Sequence, residues 1–441
     1  MDHTQPLTLR PTDPGYEEEL AGFQTGFTQR PAVIHGARSA DDVIAAVRHA
    51  AVENLPVGVH ATGHGLPGGS EGGVLITTRR MDGVRVDPEA RTVRVQAGVR
   101  WGQVVAAAEP HGLAPLNGSA PSVGAVSYTL SGGLGILARE FGYAADHVRS
   151  LDVVTAGGRL RRVTRESEPD LYWALLGAGH AFGVVTELEI DLVPVRTLYG
   201  GSLAFDGREV DPTALLRAYE EWTRTVPDEL TSSFAAVPYP DIPALPPHLR
   251  GRYVLSVRVA YTGTADDGDQ LVAPLREFGP VLADSLREMP YAESHTIHSD
   301  PPEPHAYYGD SAVVSELDVA LVGEVLSLAG PDAASMCVVQ VNHLGGALAR
   351  PAPNSVPYRE GRFLVRMVAV GERASARAQL DPAFALLAPV TLGRTVTFAF
   401  GAGDRSAGLY DAETRKRLAE LKSHYDPANL FRGNRLVSSA C

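Results

Sequence analysis

Cysteine is almost missing from this chain of 441 residues: there are two, Cys337 and Cys441, and neither stands in a CxxC pair. That excludes a disulfide framework and a cysteine-built zinc or redox centre. Long apolar runs are missing too; no window approaches the roughly 18 residues a membrane-spanning helix needs. The opening residues, MDHTQPLTLRPTDPGYEEEL, lack a basic stretch followed by an apolar one, so they do not read as a secretory signal. Positive charge is short, with 39 basic against 52 acidic residues and a net charge of −13. Such a balance repels phosphate backbones and anionic lipid, which speaks against nucleic-acid and membrane-surface partners. The remaining composition is ordinary for a globular protein, and the length allows two or three lobes. A cytoplasmic location is the expectation.

Glycine is what the chain has in excess, at 45 residues. Three clusters fall in the first half: Ala61-Thr62-Gly63-His64-Gly65-Leu66-Pro67-Gly68-Gly69, then Val123-Gly124 running on to Ser131-Gly132-Gly133-Leu134-Gly135, then Gly177-Ala178-Gly179-His180-Ala181-Phe182-Gly183. Glycine lets successive amide N–H groups turn into one concavity, so backbone alone can bind a diphosphate. An acidic protein can therefore still hold a nucleotide.

From Pro31 to Val195, short helices alternate with short strands. Ser39 and Asp42 mark a helix start, with Val43, Ile44, Val47, Ala50 and Ala51 on its face. Strands are predicted at Val57–Val59, Val74–Ile76 and Thr92–Ala97, and a helix from Trp101 to Pro110. Beyond Pro194, Asp211-Pro212 caps a helix. Tyr253–Tyr261 alternates strictly as one long strand, with further strands at Cys337–Leu344 and Phe363–Val370. Tyr307 and Tyr308 are read as a loop able to line the mouth of a site. The pattern implies a second lobe on an antiparallel sheet. The tail is predicted helical through Leu418 and Leu421, breaking at Tyr425-Asp426-Pro427.

The spacing Gly177-x-Gly179 invites comparison with a dinucleotide-binding turn, and fails it. Gly183 comes one place late, and the helix Leu171–Leu176 precedes the glycines while the strand Val184–Ile190 follows them. A Rossmann turn needs strand, glycines, then helix. His64, between two glycines, has no hydrophobic reason for its place and a backbone free to present its ring. His60 lies four residues earlier, but a glycine-rich loop without a third ligand does not make a metal site. No metal is expected.

The run RPAVIHGARSADDVIAAVRHAAVENLPVGVHATGHG, followed by GGVLITTRRMDGVRVD and RTVRVQAGVRWGQV, resembles the vanillyl-alcohol-oxidase-type (PCMH-type) FAD domain. Lys422-x-x-Tyr425-Asp426-Pro427-x-Asn429-x-Phe431 resembles the C-terminal segment of berberine-bridge-enzyme-like oxidases, and the likeness runs in order through Pro274–Arg276 and Leu344–Ala347. It implies an α+β fold: a two-subdomain FAD-binding lobe over 1–197, a substrate lobe over 198–400 built on an antiparallel sheet flanked by helices, and a segment, 401–441, returning to the first lobe. It also implies FAD, bonded covalently through His64. Ala61, Thr62, Gly63, Gly65, Leu66 and Gly68 would cradle the diphosphate. Ser122, Val123, Gly124, Ser127, Gly132, Gly133 and Gly135 would run past the flavin ring. Phe182, Gly183 and Val185 would border the ribityl and adenine side, with Tyr410 and Asn429 contributed by the tail.

Two departures sharpen the expectation. Many relatives carry a cysteine shortly before the Val-Gly pair that makes a second flavin bond; Ala120 stands there, so a single covalent bond is expected. Relatives often show a tyrosine base where this chain has Thr397-Phe398-Ala399-Phe400. Gln340 and Asn342, on one face of a strand that by resemblance roofs the flavin, are instead the expected catalytic residues, orienting a substrate hydroxyl. His343, on the other face, is expected to be structural. The implied reaction is two-electron oxidation of a small organic molecule, with O₂ as acceptor and a natural product as first substrate class. A carbohydrate oxidase, and a flavin-bearing binding protein or redox-neutral catalyst, remain alternatives.

Overall fold

The computed structural model describes residues 7–66, 70–243, 245–247, 249–333, 335–400 and 407–432. Gly68 and Cys441 lie outside them.

The first sheet has four strands in the order Leu7–Leu9, Val33–Gly36, Val74–Thr77, Val57–His60, the last three parallel. The central strand Val74–Thr77 is buried along its whole length, as parallel strands covered on both faces are. The helix Ala40–Val52 starts where the sequence places it: Ser39 Oγ accepts from the Asp42 N–H at 3.3 Å, and the Asp42 carboxylate accepts from the Ser39 N–H at 3.1 Å. Its buried stripe is Val43, Ala46, Val47 and Ala50, while Ala51 is exposed. The helical period selects Ala46 over Ala51 for the core.

The second sheet is antiparallel and five-stranded, in the order Leu160–Val163, Val148–Val154, Val184–Asp191, Thr92–Gln96, Val84–Asp87. Trp101, on the helix Trp101–Ala108, is buried in its core. The helix Pro169–Ala178 runs into the third glycine cluster, and the strand Val184–Asp191 leaves it. That order is the one that excluded a Rossmann turn.

The third sheet is antiparallel and nine-stranded. Its central strands run Thr197–Asp206, Tyr253–Tyr261, Leu230–Pro238, Cys337–His343, Phe363–Val370, Tyr307–Val314. Helices Pro212–Thr223, Val319–Leu328 and Arg373–Leu387 cover one face, burying Leu215, Tyr219, Val325 and Leu380 against Leu255, Val257, Val341 and Val365. Asp211 caps the first of these helices by accepting from the Ala214 N–H at 2.7 Å. Tyr307 and Tyr308 belong to a strand and not to a loop. The prolines at 301, 302 and 304 suggested irregular chain, and the strand begins directly after them.

The C-terminal helix Ala412–Tyr425 ends in a buried lock. Lys422 Nζ donates to the Asp426 carboxylate at 2.5 Å, to the Ala181 carbonyl at 2.8 Å and to the Phe431 carbonyl at 3.1 Å. Asp426 accepts in turn from the N–H groups of Leu430 and Phe431. Leu430 and Phe431 then join the core of the first sheet, and the Leu430 carbonyl accepts from the Val57 N–H. The tail thus clamps both the third glycine cluster and the strand that leads into His64. Among the described residues, no helix is long and apolar enough to cross a membrane.

Candidate functional site

A cavity of about 890 Å³ lies between the glycine clusters and the face of the nine-stranded sheet that the helices leave uncovered. The His64 loop enters it from the carboxyl end of the parallel strand Val57–His60, where open parallel sheets place their ligands. This loop is pinned against the segment before it: the Phe23 N–H donates to the Thr62 carbonyl and the Gln24 N–H to the Gly63 carbonyl, both at 3.0 Å. Gly63 has φ +74°, and a Cβ there would sit 2.6 Å from Gly22 Cα, so only glycine allows the two chains to touch. The Gly65 N–H donates to the Tyr307 hydroxyl at 3.1 Å, tying the loop to the sheet.

His64 is held on its face and on its edge. Phe23 stacks on it with ring centroids 3.8 Å apart and planes 15° apart, and its Nε2 lies 3.0 Å from Ser122 Oγ. Burial, reinforced by the Arg100 charge, pushes its pKa down to about 4, so the ring is neutral at pH 7 and one nitrogen keeps a free electron pair. His60 is pushed to about 4 as well, chiefly by burial. It packs between Gly22 and Gly63, and among the described residues no cluster of three His, Cys, Asp or Glu could hold a metal ion.

The other expected cofactor residues divide into wall and support. Ala61, Thr62, Gly63, Gly65 and Leu66 line the cavity, as do Val123, Ser127 and Gly135. Ser122 reaches the site through its contact with His64. Gly124 lies behind, packed against Ser127 and Thr62, whereas Gly132 and Gly133 pack on Val356, Tyr128 and Ala144. In the third cluster it is Ala178, Gly179 and His180 that face the cavity. Phe182 and Val185 are in the core, and Gly183 presses on Val153 and Val154. Tyr410 braces this cluster by donating to the Gly177 carbonyl at 2.8 Å. Asn429 sits in the turn after the tail helix, its N–H donating to the Asp426 carbonyl.

The opposite wall comes from the sheet. Val339 and Val341 point into the helix-covered core, so Val338, Gln340 and Asn342 face the cavity. His343 lies on the core side, stacked on Phe363 and 3.1 Å from an Arg139 guanidinium nitrogen. Strand register sets Asn342 opposite Ser233, Ser233 opposite Arg258, and Gln340 opposite Arg366. The Gln340 side-chain oxygen accepts from Arg366 at 2.5 Å and from Arg258 at 3.4 Å. Guanidinium groups can only donate, so the amide is oriented with Nε2 away from them, and among the described residues Nε2 has no partner. Burial lowers both arginines, Arg366 to about 10. Asp300 accepts from Ser119, and His298, Arg366 and Arg258 hold its carboxyl below the usual range against the opposing effect of burial.

Arg258, Arg366, His298 and Asp300 were not expected from the sequence. The signal for the arginines is a charged residue in mid-strand, on the face opposite an apolar stripe. That face is solvated in a simple two-layer domain and here is covered by the other lobe.

Residues 31–164 match the family of FAD binding domains. A (R)-6-hydroxynicotine oxidase of Paenarthrobacter nicotinovorans is 26% identical over 97% of this chain and 95% of its own length. A FAD-linked oxidoreductase of Dictyostelium discoideum is 25% identical over 92% and 88%. The chain thus carries an FAD binding domain, and relatives along nearly its whole length are named FAD-linked oxidoreductases and oxidases. The fold of this chain is shared with a 6-hydroxy-D-nicotine oxidase from Arthrobacter nicotinovorans (TM-score 0.84, 24% identity, 99% of this chain and 98% of that one). It is shared equally with a carbohydrate oxidase from Microdochium nivale (TM-score 0.85, 20% identity, the same coverage).

The cavity fits FAD on its own terms. His180 Nδ1, the Tyr128 hydroxyl, Ser233 Oγ, Gln340 Nε2 and Asn342 Oδ1 are buried polar atoms with no partner among the described residues, all on residues lining one chamber. Such atoms are costly unless a ligand or water completes them. Gly179, at φ +66°, has open space where a side chain would be. Ala120 lies on the cavity wall, and Cys337 is buried in the sheet core with its thiol pushed up to about 12.

Proposed function

We propose that this protein is an FAD-dependent oxidase that removes two electrons from an alcohol, amine or activated C–H of a small organic molecule, with His64 as the single covalent anchor of the flavin. Bound FAD, held by the His64 loop, would supply the electron sink: hydride acceptance at N5, with O₂ as the final acceptor giving hydrogen peroxide. The observation that carries this reading is the convergence on one cavity of the His64 loop and the Gln340–Asn342 face. The neutral, doubly braced ring of His64 supplies the nucleophilic nitrogen that a bond to the flavin 8α-methyl needs. The loops Ala61–Leu66 and Ser122–Ser127 hold the cofactor, and residues 198–400 provide the substrate wall. Gln340, with a free N–H donor, and Asn342, one pleat further along, orient the oxidisable group. The tail lock keeps the His64 strand and the third glycine cluster in register. Secondary-metabolite tailoring in the cytoplasm is the setting we favour.

The test is peroxide release by the purified protein against a panel of alcohols, amines, polyketides and oligosaccharides. Substrate-dependent peroxide with loss of flavin absorbance under nitrogen supports the oxidase. Turnover confined to the sugars would shift the reading to a carbohydrate oxidase, and bleaching with none of the panel would leave a binding protein.

A further inference from the structure

Among the described residues, arginines that are buried or half-buried are mostly paired with a carboxylate. Arg139 meets Asp228 at 2.9 Å, Arg359 meets Asp146 at 2.6 Å and Arg394 meets Asp310 at 3.0 Å. Arg258 and Arg366 differ. Among the described residues neither has a carboxylate within 4.0 Å; they share the neutral oxygen of Gln340, Arg258 also reaches His298 Nδ1 at 3.5 Å, Arg366 lies over the Phe398 ring at 4.5 Å, and Arg366 Nε has no hydrogen-bond partner. Asp300, the anion in the same cavity, is hydrogen-bonded to Ser119 and acts on both arginines only from beyond 4.0 Å. Two half-buried guanidinium groups converging on one neutral acceptor, with Asp300 out of direct contact, keep donors free for a second anion.

The wall changes character along the same strands. One pleat beyond Gln340 and Arg366 come Val338 and Val368, then Met336 and Val370. Leu245 and Leu249, from the connection after the Leu230–Pro238 strand, line the chamber too. The polar band thus abuts an aliphatic compartment. We infer that the substrate of this oxidase is an amphipathic organic acid, its carboxylate met by Arg258 and Arg366 and its apolar body lodged against Val338, Val368, Leu245 and Leu249. The inference rests on the proposed oxidase reading for the word substrate, but the binding preference is a property of this wall alone.

Three ligands with one tail and different heads decide it: octanoate, octan-1-ol and octylammonium, titrated calorimetrically into the protein as purified, with flavin content read by absorbance on the same samples. Octanoate is expected to bind at least about tenfold tighter than octanol, with octylammonium weakest. Arg366→Met should bring octanoate down to the octanol value and leave octanol unchanged, and Arg366→Lys should restore much of the difference. Equal binding of acid and alcohol, or an Arg366→Met variant that weakens both alike, overturns the inference. So does a folded Arg366→Met protein that has lost its flavin, since the arginine then serves the cofactor. A colourless wild-type protein that still prefers octanoate sinks the oxidase reading and keeps this one; a yellow protein without the preference does the reverse.

Discussion

Gln340 and Arg366 stand directly opposite one another on adjacent strands, and the 2.5 Å hydrogen bond between them fixes which end of the Gln340 amide faces the cavity. With Arg258 as second donor to the same oxygen, the amide cannot turn over without setting N–H against N–H. Replacing Gln340 by Leu removes both the cavity-facing donor and the shared acceptor. The expected result is a fall in kcat/KM of roughly 10–100-fold with flavin content unchanged. Steady-state kinetics on flavin-normalised enzyme measure it, and an unaltered kcat/KM would remove Gln340 from the reaction.

Lys422 and Asp426 form the most enclosed ion pair among the described residues, with side chains 2% and 0% exposed. Lys422→Met leaves Asp426 charged and buried with no cation beside it, at a cost of about 3–5 kcal/mol. Denaturant unfolding should register that loss, and the Ala181 turn should become accessible to protease early. A change below about 1 kcal/mol would mean the tail is not anchored by this pair.

Acid should destabilise the fold well before ordinary carboxylates titrate. His60, buried and pushed to about 4, binds its proton less readily in the folded chain than in the unfolded one. Its contribution is therefore present in full above pH ~6.5 and is lost as pH falls toward 4, on the order of 1–3 kcal/mol for this side chain. His64 and His180 shift in the same direction and act in the same window. Thermal melts between pH 7.5 and 4.5 should show a falling Tm that flattens in His60→Asn; a Tm independent of pH there contradicts the buried neutral ring.

Ser122 touches the edge of His64 and Phe23 its face. Ser122→Ala should retain FAD yet show a lower fraction that survives acid precipitation, because the ring keeps its stacking and loses its orientation. Phe23→Ala should lower both. The ratio of acid-resistant to total flavin separates the two outcomes.

How much of this was legible in the sequence depends on how many layers lie over a residue. The strand before His64, the capped helix Ala40–Val52 and the alternating strands Tyr253–Tyr261 and Phe363–Val370 follow from period and capping chemistry, which are local. The placement of Gln340 and Asn342 on one face is likewise a matter of counting by two. Arg258 and Arg366 were illegible because alternation says only that one face is buried. That the second face is also covered depends on the docking of the two lobes. Phe182 and Val185 show the converse: a glycine-rich neighbourhood placed them near a ligand, while their own apolar side chains sent them into the core and left His180 at the wall.

Attachment of the flavin to the His64 loop can be read directly. The purified protein is precipitated with acid, the pellet is digested with trypsin, and yellow peptides are identified by mass. The expected outcome is colour that stays with the polypeptide and a single flavin-bearing peptide containing His64, absent from His64→Ala. Flavin released wholly into the supernatant, or attached at any other residue, would contradict it.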